Sequence, residues 1–157
     1  MFGKLNNPEI EKLIHSQFIG RIGCHANGQT YVVPVSYAYD GTYIYSRTFE
    51  GMKIDMMRTN PQVCFEVDDT KNLANWQSVI AWGEFEELKE EDSRARALQK
   101  LQDRILPITN SETMRISSQW PFPANDLNDV EGIVYRIRLN TKTGRFEKNA
   151  GEFFYAT

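Results

Sequence analysis

Cysteine and histidine are scarce in this chain, with two of each among 157 residues. Cys24 and Cys64 form no CxxC pair or disulfide framework, and both lie in strand-like stretches, so they read as small core residues in a reducing compartment. His15 and His25 lack metal-ligand spacing with each other or with the cysteines, which argues against structural zinc. No apolar run approaches the roughly 20 residues that span a bilayer, and the N-terminus lacks a signal-peptide core. Charge of one sign is not in excess: the net charge of −3 leaves no basic footprint for nucleic acid. The expectation is a cytoplasmic protein with neither nucleic-acid nor membrane partners.

What remains is an ordinary globular composition, 41% hydrophobic and 25% charged, in a length that suits one domain spanning residues 1–157. Asn7, Pro8 and Glu9 mark a helix start with Asn7 as cap, and Ile10, Leu13 and Ile14 form its apolar stripe. Period-two alternation over 18–24 then predicts a strand. Asn27-Gly28 is a hairpin signal, because both residues tolerate the positive φ of a tight turn. The next strand, 30–39, is apolar on both faces, so something must cover each side. Pro34 cannot donate to a ladder and marks a bulge or an edge there. Asp40-Gly41 turns into a third strand over 42–48.

A short helix opened by Lys53 ends at Asn60-Pro61. Val63, Phe65 and Val67 alternate as a fourth strand, a polar loop covers 68–77, and a fifth strand runs over 78–88. A helix follows over 91–105 with Ala95, Leu98, Leu101 and Ile105 on one side. Its basic residues, from Arg94 to Arg104, are interleaved with acids and read as a solvated face. The long stretch 106–132 is punctuated by prolines, with a short helix near 112–117, and reads as a functional or interface loop. Ile133 to Asn140 closes with clean alternation, and Arg145, in the Gly144-Arg145-Phe146 fragment beyond it, reads as a surface residue. Six short, hairpin-joined strands and few helices predict a mainly β fold, an antiparallel barrel.

The chemistry concentrates between Tyr43 and Asp55. Ser46, Arg47 and Thr48 leave a strand end, Gly51 provides a flexible turn, and Lys53 opens a helix. Backbone donors at a helix start beside cationic and hydroxyl side chains suit a phosphate. Trp76-Gln77-Ser78-Val79 is a second candidate, its hydroxyl placed to reach a phosphate oxygen or a ring acceptor. Trp120 in the long loop reads either as a stacking residue for an aromatic ligand or as a plug for its own domain. No nucleophilic triad or paired-carboxylate site stands out.

With these residues in view, the chain resembles the pyridoxamine 5′-phosphate oxidase-like, FMN-binding split-barrel family, nearest its nitroimidazole-resistance branch. The resemblance rests on Gly20 to Gly23, Tyr31 to Tyr37, Glu50 to Asp68 and Trp76 to Gly83, and covers about residues 5–140. It implies a six-stranded split barrel that forms a homodimer with FMN at the dimer interface. It also implies that Lys53 holds the FMN phosphate, that Ser46 and Arg47 flank it, and that Ser78 lies at the second-strand position. Val35 and Ser36 would offer main-chain hydrogen bonds to the flavin ring, and Trp120 would contribute from its loop. The chain lacks the Arg and His tail signature of pyridoxamine-phosphate oxidases, so oxidation of that substrate is not implied. The expected activity is FMN-dependent reduction of a small planar acceptor, a nitroaromatic being one case. The alternatives are a non-enzymatic flavin store or redox sensor and, below both, a haem protein using His15 or His25 as axial ligand.

Overall fold

The computed structural model describes residues 1–104 and 127–151. Eight strands form one antiparallel sheet: β1 (Phe2–Lys4), β2 (Ile19–Ala26), β3 (Gln29–Ser36), β4 (Ala38–Tyr39), β5 (Tyr43–Thr48), β6 (Gln62–Asn72), β7 (Asn75–Glu87) and β8 (Ile133–Glu147). Their order is β3-β2-β6-β7-β8-β5-β4, with β1 added on β8. Among the described residues three α-helices accompany it, α1 (Asn7–Ser16), α2 (Met52–Thr59) and α3 (Glu91–Gln102).

The strand count exceeds the expected six for two reasons. The N-terminal β1 is too short to show periodicity, and the strand expected over 30–39 is broken at Tyr37. Before the break β3 pairs with β2, and after it β4 pairs with β5. One stretch of chain therefore serves both edges of the sheet and curls it toward a barrel. Tyr37 enforces the break: it is fully buried, its hydroxyl donates to the Ile14 carbonyl at 2.6 Å, and its N–H donates to the Phe18 carbonyl at 3.0 Å.

Other boundaries shift for local reasons. Asn6, not Asn7, caps α1, because Asn6 and Glu9 exchange side-chain and backbone bonds as a capping box. The expected polar loop over 68–77 is instead the tip of the β6–β7 hairpin, whose pairing continues to Asn72 and Asn75. The last strand does not stop at Asn140 but runs to Glu147, so Gly144, Arg145 and Phe146 lie inside it. In α3 it is Ala97, rather than Ala95, that is buried with Leu98 and Leu101.

The main core fills the barrel with Ile22, Phe65, Val67, Val79, Tyr135 and Ile137, closed at one end by Leu13 and Ile14 of α1 and at another by Ile54 and Met57 of α2. A second cluster packs α3 through Ala97, Leu98 and Leu101 onto Tyr45, Leu88 and Val134. Among the described residues no helix is long and apolar enough to cross a membrane.

The register slips between Trp82 and Gly83, where β8 carries an extra residue. A Cβ on Gly83 would lie 2.1 Å from the Arg138 carbonyl oxygen. Gly83→Ala should therefore destabilise the fold by about 1–3 kcal/mol, the cost of forcing bulk into a packed backbone crossing. Urea denaturation reads this as a lowered midpoint, and an unchanged midpoint would contradict the packing described at this bulge.

Candidate functional site

Because β3 pairs with β2 and β4 with β5, the ends of β3 and β5 remote from Tyr37 are free to part. Into that gap open Tyr31 of β3, Thr48 at the end of β5, the turn residues Phe49 and Gly51, and Lys53 of α2, around a cleft of about 220 Å³. Thr48 and Lys53, expected together from the sequence, do meet here. Tyr31 and Phe49 were not anticipated as site residues, although the alternation of β3 puts Tyr31 on the same side as Val33 and Val35.

Lys53 is half-buried, and among the described residues its Nζ has no hydrogen-bond or ion-pair partner. Partial burial holds its ammonium below the ordinary lysine range. The neighbouring acid, Glu50, does not relieve it. Arg58 draws Glu50 away through bonds of 2.9 and 3.1 Å, and binds Glu87 as well. The cap of α2, Gly51, has an extended backbone, offers no side-chain hydrogen bond, and has open space where a Cβ would be. The first N–H groups of α2 thus lack a side-chain cap at the same place as an uncompensated cation, an arrangement that attracts anions.

The main chain of β3 adds a second set of groups. The Tyr37–Phe18 bond and the β2–β3 register make Val35–Gly20, Val33–Ile22 and Tyr31–Cys24 the hydrogen-bonded pairs. The backbone groups of Val32, Pro34 and Ser36 consequently face away from β2, along the outer edge of β3. Pro34 fits there because its missing N–H falls on the side without a ladder. Val35 spends its main chain on Gly20, so of the two residues expected to offer edge groups only Ser36 faces outward, and its carbonyl accepts from the Ser46 hydroxyl.

Several expected site residues are directed elsewhere. Ser46 is 2% exposed and donates to the Ser36 carbonyl at 2.7 Å, stitching β5 to β3 rather than presenting its hydroxyl to the cleft. Arg47 Nε donates to the Glu131 carbonyl at 2.7 Å, and its guanidinium lies over the Phe49 ring. Gln77 lines a different cavity, of about 370 Å³, with Asp69 and Phe146. Ser78 lies on the outer face of the sheet with its hydroxyl 3.4 Å from Glu66. Trp120 and the helix expected near 112–117 lie outside the described residues. His25 is exposed and bonded to the Thr30 hydroxyl, whereas His15 packs in a tilted pair with Tyr39.

The basic residues expected to form a solvated face divide: Arg96 and Lys100 are exposed, whereas Arg94 and, just beyond α3, Arg104 turn inward. Arg94 binds the Val130 and Gly132 carbonyls, and Arg104 reaches Ser36 and Tyr37. The outer face of the sheet carries an apolar row, in line with a strand over 30–39 that is apolar on both faces. The register aligns Val32, Gly23, Cys64 and Trp82 across four strands, with Ile19 and Ile80 nearby. Val32 is 65% exposed and Trp82 47%.

The family model of pyridoxamine 5′-phosphate oxidase matches residues 6–146, and the chain belongs to that family. A curated relative, an uncharacterised protein of Rhizobium meliloti (strain 1021), is 31% identical over 84 residues. That alignment covers 54% of this chain and 56% of the relative, so the chain spans about half the length of the curated protein it matches. Among solved structures, a FAD-binding protein from Mesorhizobium loti is 28% identical with a TM-score of 0.68, covering 94% of this chain and 99% of that one. An FAD-binding protein from Mycobacterium smegmatis shares the fold at 23% identity and a TM-score of 0.65, covering 94% and 100%. So does a candidate 5-nitroimidazole antibiotic resistance protein from Bacteroides thetaiotaomicron, at 18% identity and a TM-score of 0.69, covering 93% and 87%.

The position of Ser46 gives a direct test of this geometry. Ser46→Ala removes a buried donor and should cost about 0.5–1.5 kcal/mol of stability. The shift in denaturation midpoint measures it. A variant as stable as the parent would show that the bond does not hold β5 to β3.

Proposed function

We propose that the protein binds FMN in the gap between β3 and β5 and acts as an oxidoreductase on a small planar acceptor. The observation that carries this reading is Lys53, a half-buried cation without a counter-charge at the uncapped start of α2. A phosphate group satisfies both features at once. Lys53 would donate a charge-assisted hydrogen bond, the first N–H groups of α2 would complete the cradle, and Thr48 would supply a hydroxyl. The outward backbone groups of Val32, Pro34 and Ser36 would then meet the polar rim of the flavin ring. Membership of the pyridoxamine 5′-phosphate oxidase family supports the reading, as does the likeness to a protein named for FAD binding. We choose the mononucleotide because the cleft presents one cation and one helix start.

A bound flavin supplies the hydride and electron chemistry, and the chain supplies position, electrostatics and exclusion of water. Among the described residues the acid lining the cleft, Glu50, is bound by Arg58, so the chain's part in the reaction is to hold and shield the cofactor. Nitroaromatics are one class of acceptor that would stack on an exposed flavin face.

The exposed row from Val32 to Trp82 would be covered by a second copy of this chain. Ser78 lies on that same outer face, so pairing two copies there would bring Ser78 toward the partner's flavin, with Gln77, whose side chain alternates to the other face, placed to contribute main-chain groups. In this arrangement the two residues serve across the interface, and the homodimer completes the site.

Purified protein should be yellow, with FMN identified by the mass of the released ligand, and anaerobic addition of reduced nicotinamide should bleach it. A flavin that no donor bleaches would make the protein a flavin carrier instead of a reductase. Lys53→Ala should weaken FMN binding by roughly 1.5–3 kcal/mol, the worth of a hydrogen bond to a charged group. Fluorescence titration reads this, and unchanged affinity would remove Lys53 from the site.

A further inference from the structure

A second cavity, of about 420 Å³, lies between the end of α1, the β3–β4 break and the end of α3. Its volume falls in the range of small-molecule sites, roughly 300–1,000 Å³. Four of its lining residues carry aromatic rings: His15, Phe18, Tyr37 and Tyr39. His15 and Tyr39 already pack in a tilted pair, with ring centroids 4.7 Å apart, and Phe18 is 36% exposed.

The polar end of the cavity is Arg104. Its Nε donates to the Leu101 carbonyl at 2.8 Å, and its Nη1 donates to the Ser36 hydroxyl at 2.6 Å and the Tyr37 carbonyl at 3.1 Å. All three acceptors are uncharged, and among the described residues Nη2 has none. Arg21, Arg58 and Arg136 each face a carboxylate, but Arg104 does not. Burial alone pushes its guanidinium down to about 10. Lys100, one helical turn earlier, lines the same cavity and makes no ion pair among the described residues. The one acid in the lining, Asp103, accepts from Gln99 Nε2 at 2.7 Å and is held back along the helix.

A half-buried cation held by neutral groups is a favourable site for an anion, since folding has removed part of its hydration and three hydrogen bonds fix its orientation. The rings opposite supply the apolar and stacking contacts that an aromatic body needs. We propose that this cavity binds a small aromatic carboxylate, the oxyanion on Arg104 Nη2 and Lys100 and the ring against Phe18 and Tyr39. The site is separate from the cleft at Lys53 and does not rest on flavin binding, though Arg104 touches β3 through Ser36.

Benzoate is the probe, and calorimetric titration of the purified full chain is the measurement. The parent protein should show saturable one-to-one binding, with benzamide, its neutral isostere, binding at least tenfold more weakly. Arg104→Met should reduce benzoate affinity at least tenfold. Because that variant also removes bonds between α3 and β3, Lys100→Met serves as a second variant at an exposed, unbonded position, and it should reduce affinity about threefold or more. Absence of saturable benzoate binding in the parent would overturn the proposal. So would equal affinity for benzamide, or affinity unchanged in both variants. Inorganic phosphate competing with benzoate at equal affinity would also overturn it, by showing an oxyanion hole without a ring site.

Discussion

At Tyr37 one continuous stretch of chain leaves the edge of one strand and joins another. Its side chain is anchored 23 residues away on α1, so the break is fixed by tertiary packing. From that point β3 and β5 diverge, tied by the hydrogen bond from Ser46 to Ser36. A sheet closed all the way round would have used the outward groups of β3 in a ladder. Here the outward groups of Val32 and the Pro34 carbonyl meet no ladder, that of Ser36 being taken by Ser46, and the opening next to them becomes a cleft.

Electrostatics then decide what the cleft favours. Glu50 lies beside the start of α2, where it could compensate a cation, but Arg58 binds it together with Glu87. Lys53 keeps its charge without a partner and with part of its hydration removed. Arg47 is turned to the Glu131 carbonyl, where Gly132, with φ of +102°, passes so closely that a Cβ would lie 2.8 Å from the Thr48 carbonyl oxygen. The end of β5 is thereby fixed against the entry to β8. Of the basic and hydroxyl groups grouped in the sequence between Ser46 and Lys53, Thr48 and Lys53 face the cleft, while Ser46 and Arg47 hold the backbone that presents them.

The sheet was legible in the sequence wherever one face is buried and the turns need unusual φ. Alternation over β2, β6, β7 and the first half of β8 names the inward residues, and Asn27, Gly28 and Gly41 all have positive φ at the expected hairpins. The break at Tyr37 was not legible, because the residues on either side remain good strand formers and the anchor is distant. The tip of the β6–β7 hairpin projects beyond the core, so its pairing leaves no apolar period. Gly144 read as lying beyond a strand that ended at Asn140, yet it is required within β8, where a Cβ would sit 2.8 Å from Leu5 Cβ. Lys53 and Thr48 could be found from local grouping. Ser46 could have been assigned inward from its parity with Ile44. Arg104 could not, since its partners at the β3–β4 break, Tyr37 and Ser36, are 67 and 68 residues earlier.

The central claim is that the cleft recognises a phosphate, and the most direct measurement compares ligands that differ only in that group. Titration with FMN and with riboflavin under identical conditions isolates the phosphate contribution. The structure predicts FMN to bind about tenfold to a hundredfold more tightly, as one charge-assisted hydrogen bond to Lys53 would give. Equal affinity for the two would contradict the account, because the uncompensated cation and the uncapped helix start would then contribute nothing to binding.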